Sequence, residues 1–261
     1  MSLGSDDMIN KKRQIKKLEK KEQKLLYRKP LSEPLQQKVR ERIPDKAMQT
    51  LESAFQISFS IVFKKGSKWI EKVIKLEDQQ AIGAYLKKEF QQEESRTHFK
   101  AFDQRIRSTK LHHVSWTQTK SGVLGLLGIG IPDIPLYLAS LLASVYTIGA
   151  TYGFHIKEEQ EKAYVLLLLC AVCDEEEHKQ RWKTELNEFT ERGSHFTLQE
   201  LIPYAAHALA YRELQAKFLQ GIPLIGVVGA VMSSTLQANI ISFAHVSYKK
   251  RLLKEKGHIK F

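Results

Sequence analysis

Hydrophobic positions recur at three- and four-residue spacing along most of this chain, and period-two alternation is scarce. The pattern predicts an all-α, multi-helix domain. Asn10 to Arg28 is rich in Lys, Glu and Gln, with Ile15, Leu18, Leu25 and Leu26 at helical spacing, and predicts a charged helix. Pro30, Pro34 and Pro44 break the next stretch into a linker and a short helix. Ala47 to Phe63 predicts an amphipathic helix with Leu51, Ala54, Phe55, Ser58, Phe59 and Val62 on one face, ending at Gly66. Ser67 to Lys75, with Trp69, begins a basic helix, and Gln79 to Thr109 continues as charged helix. Lys157 to Val172, Asp174 to Glu191 and Leu198 to Phe218 predict three more, the middle one a charged surface helix. There is no Asn-Gly or Asp-Gly hairpin turn and no repeat of fixed period.

Two stretches depart from this charged background. Between Ser121 and Ile156 the sole Asp, Glu, Lys or Arg is Asp133, and Phe218 to Tyr248 has none. Val123 to Ile129 is apolar and Gly-rich. Asp133 stands where a helix N-cap belongs, with Pro135 in the first turn, where a missing N–H costs nothing. Leu136 to Tyr152 is the helix so started, and Gly153 its C′ residue. Leu136 to Phe154 is long enough to cross a bilayer core, but Ser140, Ser144, Thr147 and Thr151 make its insertion energy modest. Small residues recur four apart, as in Ala139/Ala143, Gly149/Gly153 and Gly226/Ala230, which lets helix backbones approach closely in lipid or in a soluble core. The pattern fits a buried central Gly-rich hairpin, one at the membrane interface, or a true span.

Charge is distributed unevenly. The chain has 261 residues and a net charge of +12, and its mean hydropathy of −0.33 does not suit a multi-spanning protein. Residues 1–46 carry 14 Lys/Arg against 7 Asp/Glu, residues 247–261 carry 6 against one, and the middle balances. The division this suggests is a charged N-terminal helix or tail over 1–30, a helical domain over 31–252 and a basic tail over 253–261. Basic ends attract an anionic partner, and the partner expected is an anionic membrane surface. Nucleic acid is not expected, because the ends lack interleaved aromatic residues beyond Tyr27 and Tyr248. Residues 1–10 hold two acids and no apolar signal core.

Candidate chemistry is sparse. Cys170-x-x-Cys173 lies near a helix C-terminus, where the dipole raises a thiol pKa, so it reads as two core cysteines in a reducing compartment. Glu175-x-x-His178 is half of a di-iron pattern with no second half. His112 and His113 are neighbours and point to different sides of a helix. No Gly-x-Ser-x-Gly, P-loop or dinucleotide fingerprint is present. No catalytic residue, cofactor or metal is expected. The competing readings are a hydrolase assembled around Asp133 with His112 or His113, and a soluble helical adaptor.

Pro132-Asp133-Ile134-Pro135 after the Gly-rich run, then a neutral helix ending Tyr152-Gly153-Phe154, resembles the EcsC family of bacteria. Ile43-Pro44-Asp45-Lys46 and the segment from Ile222 through Pro223, Gly226 and Gly229 to Ala230 agree with it. The resemblance spans roughly residues 40–252. His155 stands where the family usually has Asp, and Ser233 where it often has Asn. The resemblance implies an all-helical, membrane-linked accessory protein of undefined activity, peripheral on the cytoplasmic face, with ABC transporter subunits as partners. The candidate motif residues it marks are Pro132, Asp133, Pro135, Tyr152, Gly153, Pro223, Gly226 and Gly229.

Overall fold

Helix is the only regular backbone among the described residues. The computed structural model describes residues 3–27, 33–66, 70–71, 75–92, 100–106, 134–220 and 226–256, with side chains for all of these except 3–12, 33–36, 65–66, 217, 219–220 and 226–235. In chain order the helices are α1 (Leu3–Leu26), α2 (Glu33–Arg42), α3 (Asp45–Ile61), α4 (Leu76–Gln92), α5 (100–106), α6 (Ile134–Thr151), α7 (Glu159–Cys173), α8 (Glu176–Arg192), α9 (Leu198–Gln220) and α10 (Gly226–Glu255). Of the basic helix expected over Ser67 to Lys75, Ile70 and Glu71 are described and helical; Asp133 with its flanking Gly-rich run, and His112 and His113, lie outside the described residues.

Periodicity sets which face each helix buries. α3 buries Leu51, Ala54, Phe55, Ser58 and Phe59, the face expected from spacing, and continues as a π-turn from Val62 to Gly66. α9 opens with a capping box: Thr197 Oγ1 accepts from the Glu200 N–H at 3.2 Å, and Glu200 accepts from the Thr197 N–H at 2.8 Å. α8 is the charged surface helix expected, and its inner side buries Lys179, Trp182, Leu186 and Phe189. Its other charges occupy the opposite face, and a charge-rich sequence hides a one-sided apolar stripe of three residues.

α6 is long and apolar enough to cross a membrane, but 83% of it is buried within the molecule. It packs on α3, α4 and α10, so the two neutral stretches meet as helices in the interior. Its hydroxyls turn back on their own backbone. Ser144 donates to the Ser140 carbonyl at 3.0 Å, Thr147 to Ala143 at 2.8 Å and Thr151 to Thr147 at 2.7 Å, which leaves a nearly apolar exterior. The expected close approach occurs against α4, where a Cβ on Gly83 would lie 1.8 Å from the Ala150 carbonyl oxygen. α6 ends in a Schellman motif: Phe154 N–H donates to Gly149 O at 3.0 Å, Gly153 N–H to Ala150 O at 2.9 Å, and Gly153 has φ +76°.

α7 is buried from Ala163 to Cys173 and packs against α8, α9 and α10. α10 also touches α1 and α6 and joins both sides of the core. α1 is no free arm. Leu26 is buried, Ile15, Leu18 and Leu25 pack on the core, and Asn239 and Lys179 donate to the final carbonyls at Leu25 and Leu26. Composition predicts too few apolar groups in residues 1–28 to join the core, but four well-spaced aliphatic side chains suffice on the second half of α1. At the other end, helix continues to Glu255 and Leu253 is buried, beyond the start expected for a basic tail.

Candidate functional site

Tyr152, the residue after α6, is fully buried among aromatic rings. Phe102 of α5 stacks on it at 5.0 Å between centroids, and Tyr248 of α10 lies parallel at 6.5 Å. Its hydroxyl is 3.0 Å from His245 Nδ1. His245 Nε2 lies 3.4 Å from Asp103 Oδ1, and Lys249 Nζ donates to both Asp103 oxygens at 2.9 and 3.1 Å. Burial opposes ionisation of Asp103, but the hydrogen bonds from His245 and Lys249 outweigh it and hold the carboxyl at about 2. An ionised Asp103 can only accept, so the imidazole proton belongs on Nε2 and Nδ1 accepts from Tyr152. Burial lowers the His245 pKa, Asp103 opposes that shift, and Lys21 and Lys249 add to it. Burial, then Asp103, pushes the Tyr152 hydroxyl well above its ordinary value. The chain of groups therefore rests as a neutral phenol, a neutral imidazole and a carboxylate. With Tyr152 sealed off, it offers no reachable nucleophile.

The cations of α10 continue this arrangement. Tyr248 donates to Glu161 Oε1 at 2.7 Å, and Arg251 donates to Glu161 Oε2 at 2.6 Å. The Arg251 guanidinium lies over Phe154, Tyr164 and Phe189 at 4.2, 4.7 and 4.9 Å. Lys250 grips both oxygens of Glu22 at 2.7 and 2.8 Å, Lys254 pairs with Glu191 at 3.1 Å, and Lys256 donates to the Phe90 carbonyl. Among the described residues the C-terminal positive charge is turned inward. On α1, Arg13, Lys17, Lys20 and Lys24 are exposed, and their three- and four-residue spacing aligns them on one side, opposite the packed Ile15, Leu18 and Leu25.

A cavity of about 130 Å³ lies between the π-turn, α6 and the loop before α7. Val62, Ile70, Leu76 and Ile156 give it apolar walls, and Tyr146 reaches it from α6. Among the described residues the buried Tyr146 hydroxyl has no hydrogen-bond partner. Glu71 and Lys157, also lining it, pair at 3.2 Å.

Known proteins now bear on this architecture. A sequence profile described as the EcsC protein family matches residues 10–253. The chain belongs to the EcsC protein family. It is similar to Protein EcsC of Bacillus subtilis (strain 168), with 27% identity over 135 residues, 50% of this chain and 54% of that protein. The chain thus spans about half the length of the curated relative it matches. No solved structure matches it.

The motif residues expected in this EcsC-family chain fall in different places. Tyr152 and Gly153 belong to the aromatic network. Pro135 sits half-buried in the first turn of α6, and Gly226 and Gly229 in the first turn of α10. Pro132, Asp133 and Pro223 lie outside the described residues. Cys170 and Cys173 are buried at the end of α7, where burial pushes the Cys173 thiol up to about 12 and Cys170 well above its ordinary value. Glu175 pairs with Arg40, and His178 faces Asp174, whose other oxygen accepts from Trp182 Nε1 at 2.6 Å. Among the described residues no group of three metal-capable side chains assembles. Sequence reasoning missed Asp103, Glu161 and His245. Their signal was faint: His245 is the lone histidine in a neutral stretch, three residues before Tyr248.

Proposed function

We propose that this EcsC-family protein is a non-catalytic accessory protein that docks peripherally on the anionic cytoplasmic face of a membrane through the outer side of α1. The observation that carries the reading is the row of Arg13, Lys17, Lys20 and Lys24, exposed on a helix whose other side is fixed to the core. A rigid row of cations loses little conformational freedom on docking. Each cation near an anionic surface contributes roughly 1 kcal/mol. Four together favour binding by roughly three powers of ten at low salt, falling steeply as salt screens the attraction. An ABC transporter's membrane subunits, implied by the resemblance, would then lie in the same plane. The inward-facing aromatic and ionic network supports a binding role over catalysis.

The test is flotation with vesicles of phosphatidylglycerol and phosphatidylcholine. The protein should float with anionic vesicles at low salt, remain unbound to neutral ones, and lose binding when the four cations are changed to Glu without a shift in melting temperature. Binding that survives both high salt and charge reversal would sink docking through α1. A soluble adaptor is the second reading, favoured by Ile57 and Ile61 of α3, which are 60% and 43% exposed one turn apart. Absence of vesicle binding at low salt would leave that reading.

A further inference from the structure

Tyr146 presents a physical problem. Its hydroxyl is buried and, among the described residues, unpaired, on a helix face that is otherwise apolar. An unsatisfied buried hydroxyl costs about 1–3 kcal/mol, so a lasting arrangement of this kind calls for a partner. The hydroxyl borders a cavity of about 130 Å³. One water needs about 10–15 Å³, and it needs two to four polar contacts to be held. The walls contributed by Val62, Phe63, Ile70, Leu76 and Ile156 supply none, Glu71 already pairs with Lys157, and Lys162 is the one further polar side chain among the described lining residues. The space is therefore larger than a single ordered water fills, and most of its wall is apolar. It is close in size to cavities of about 150 Å³ that take up one benzene ring.

We propose that this cavity is a binding site for a small uncharged amphipathic molecule, of ring or short-chain size, whose one hydroxyl or carbonyl pairs with the Tyr146 hydroxyl. The apolar walls select against ions, because a charge moved there from water loses its hydration. Burial comes first in keeping Tyr146 protonated, and the nearby Glu161 and Glu71 carboxylates add to it. Glu161 is itself held by Arg251 and Glu71 by Lys157, and Lys162 is the remaining charged group of the lining. A cation would have to displace Lys157 from Glu71. The π-turn from Val62 to Gly66 forms one wall, and π-turns recur at functional sites because they re-aim side chains out of helical register.

The probe is para-fluorophenol, followed by fluorine NMR on the full chain, with fluorobenzene and para-fluorobenzoate for comparison. Para-fluorophenol should bind saturably at millimolar concentration or below. Tyr146→Phe, which keeps the ring and removes the hydroxyl, should weaken para-fluorophenol about fivefold to tenfold, as expected for one hydrogen bond, and leave fluorobenzene unchanged. Leu76→Trp should fill the space and abolish binding of both. No saturable binding of para-fluorophenol would overturn the proposal. So would binding unaffected by both substitutions, or para-fluorobenzoate binding as tightly as the phenol.

Discussion

Tyr152, His245 and Asp103 fix one another's protonation, and that couples the fold to pH. Asp103 is held at about 2 against an ordinary 3.8, so the unfolded chain takes up the proton first. Its contribution to stability is complete above about pH 3.8 and is lost as pH falls through about 2. His245 also has a lowered folded pKa. Its share is complete above the ordinary value of 6.5 and declines as pH falls below it. His245→Gln is neutral at every pH. It should lower the melting temperature near neutrality and remove part of the loss seen on acidification below about pH 6.5. An unchanged acid slope in the variant would mean that His245 is not held neutral. Gly153 makes a second residue-scale case. Its φ of +76° disfavours any side chain, and a Cβ there would sit 2.9 Å from the Gly83 carbonyl oxygen. Gly153→Ala should cost about 1–2 kcal/mol for the left-handed backbone alone, and more once the contact is counted. Urea unfolding at constant m-value measures it.

At the scale of elements, α1 and α10 are clipped together by Glu22 and Lys250, whose side chains are 7% and 6% exposed. Burying such a pair gains little over an apolar substitute, but breaking it leaves one charge uncompensated. Glu22→Leu should therefore cost about 3–5 kcal/mol, and adding Lys250→Met should recover most of the loss. Denaturant unfolding of the two variants checks this, and a non-additive recovery is the expected sign. The same pair shows where sequence reading stops. The inner face of α3 and the end of α6 at Gly153 were legible, because both arise from spacing within one element. The direction of the α10 cations was not. Lys249, Lys250 and Arg251 meet acids on α5, α1 and α7, partners that are 146, 228 and 90 residues away. A run of Lys and Arg reads as solvated until the fold supplies such partners. Tyr146 was illegible for a related reason: an unpaired hydroxyl is a property of the surrounding space, which no local pattern encodes.

For the whole molecule, two basic ends that look alike in sequence are placed differently. The net charge is +12, with the excess in the first 46 and last 15 residues. In the fold Lys249, Lys250, Arg251 and Lys254 neutralise acids from four other segments, while the α1 row faces solvent. A membrane or any other anionic surface feels the second group far more than the first, because a paired, half-buried cation is already neutralised at short range. Replacing Lys254 by Gln removes a cation that is 7% exposed and bonded to both Glu191 and the Asn187 carbonyl. That change should lower stability by about 1–3 kcal/mol and leave vesicle binding within about twofold of the unaltered protein. Reversing Arg13, Lys17, Lys20 and Lys24 should do the opposite, abolishing binding while the melting temperature holds. The two variants measured side by side, by denaturant unfolding and by flotation, separate the charge that builds the fold from the charge proposed to meet a membrane. If the Lys254 variant lost vesicle binding with its stability intact, the C-terminal end would be the docking surface, and the division of labour between the two ends would be reversed.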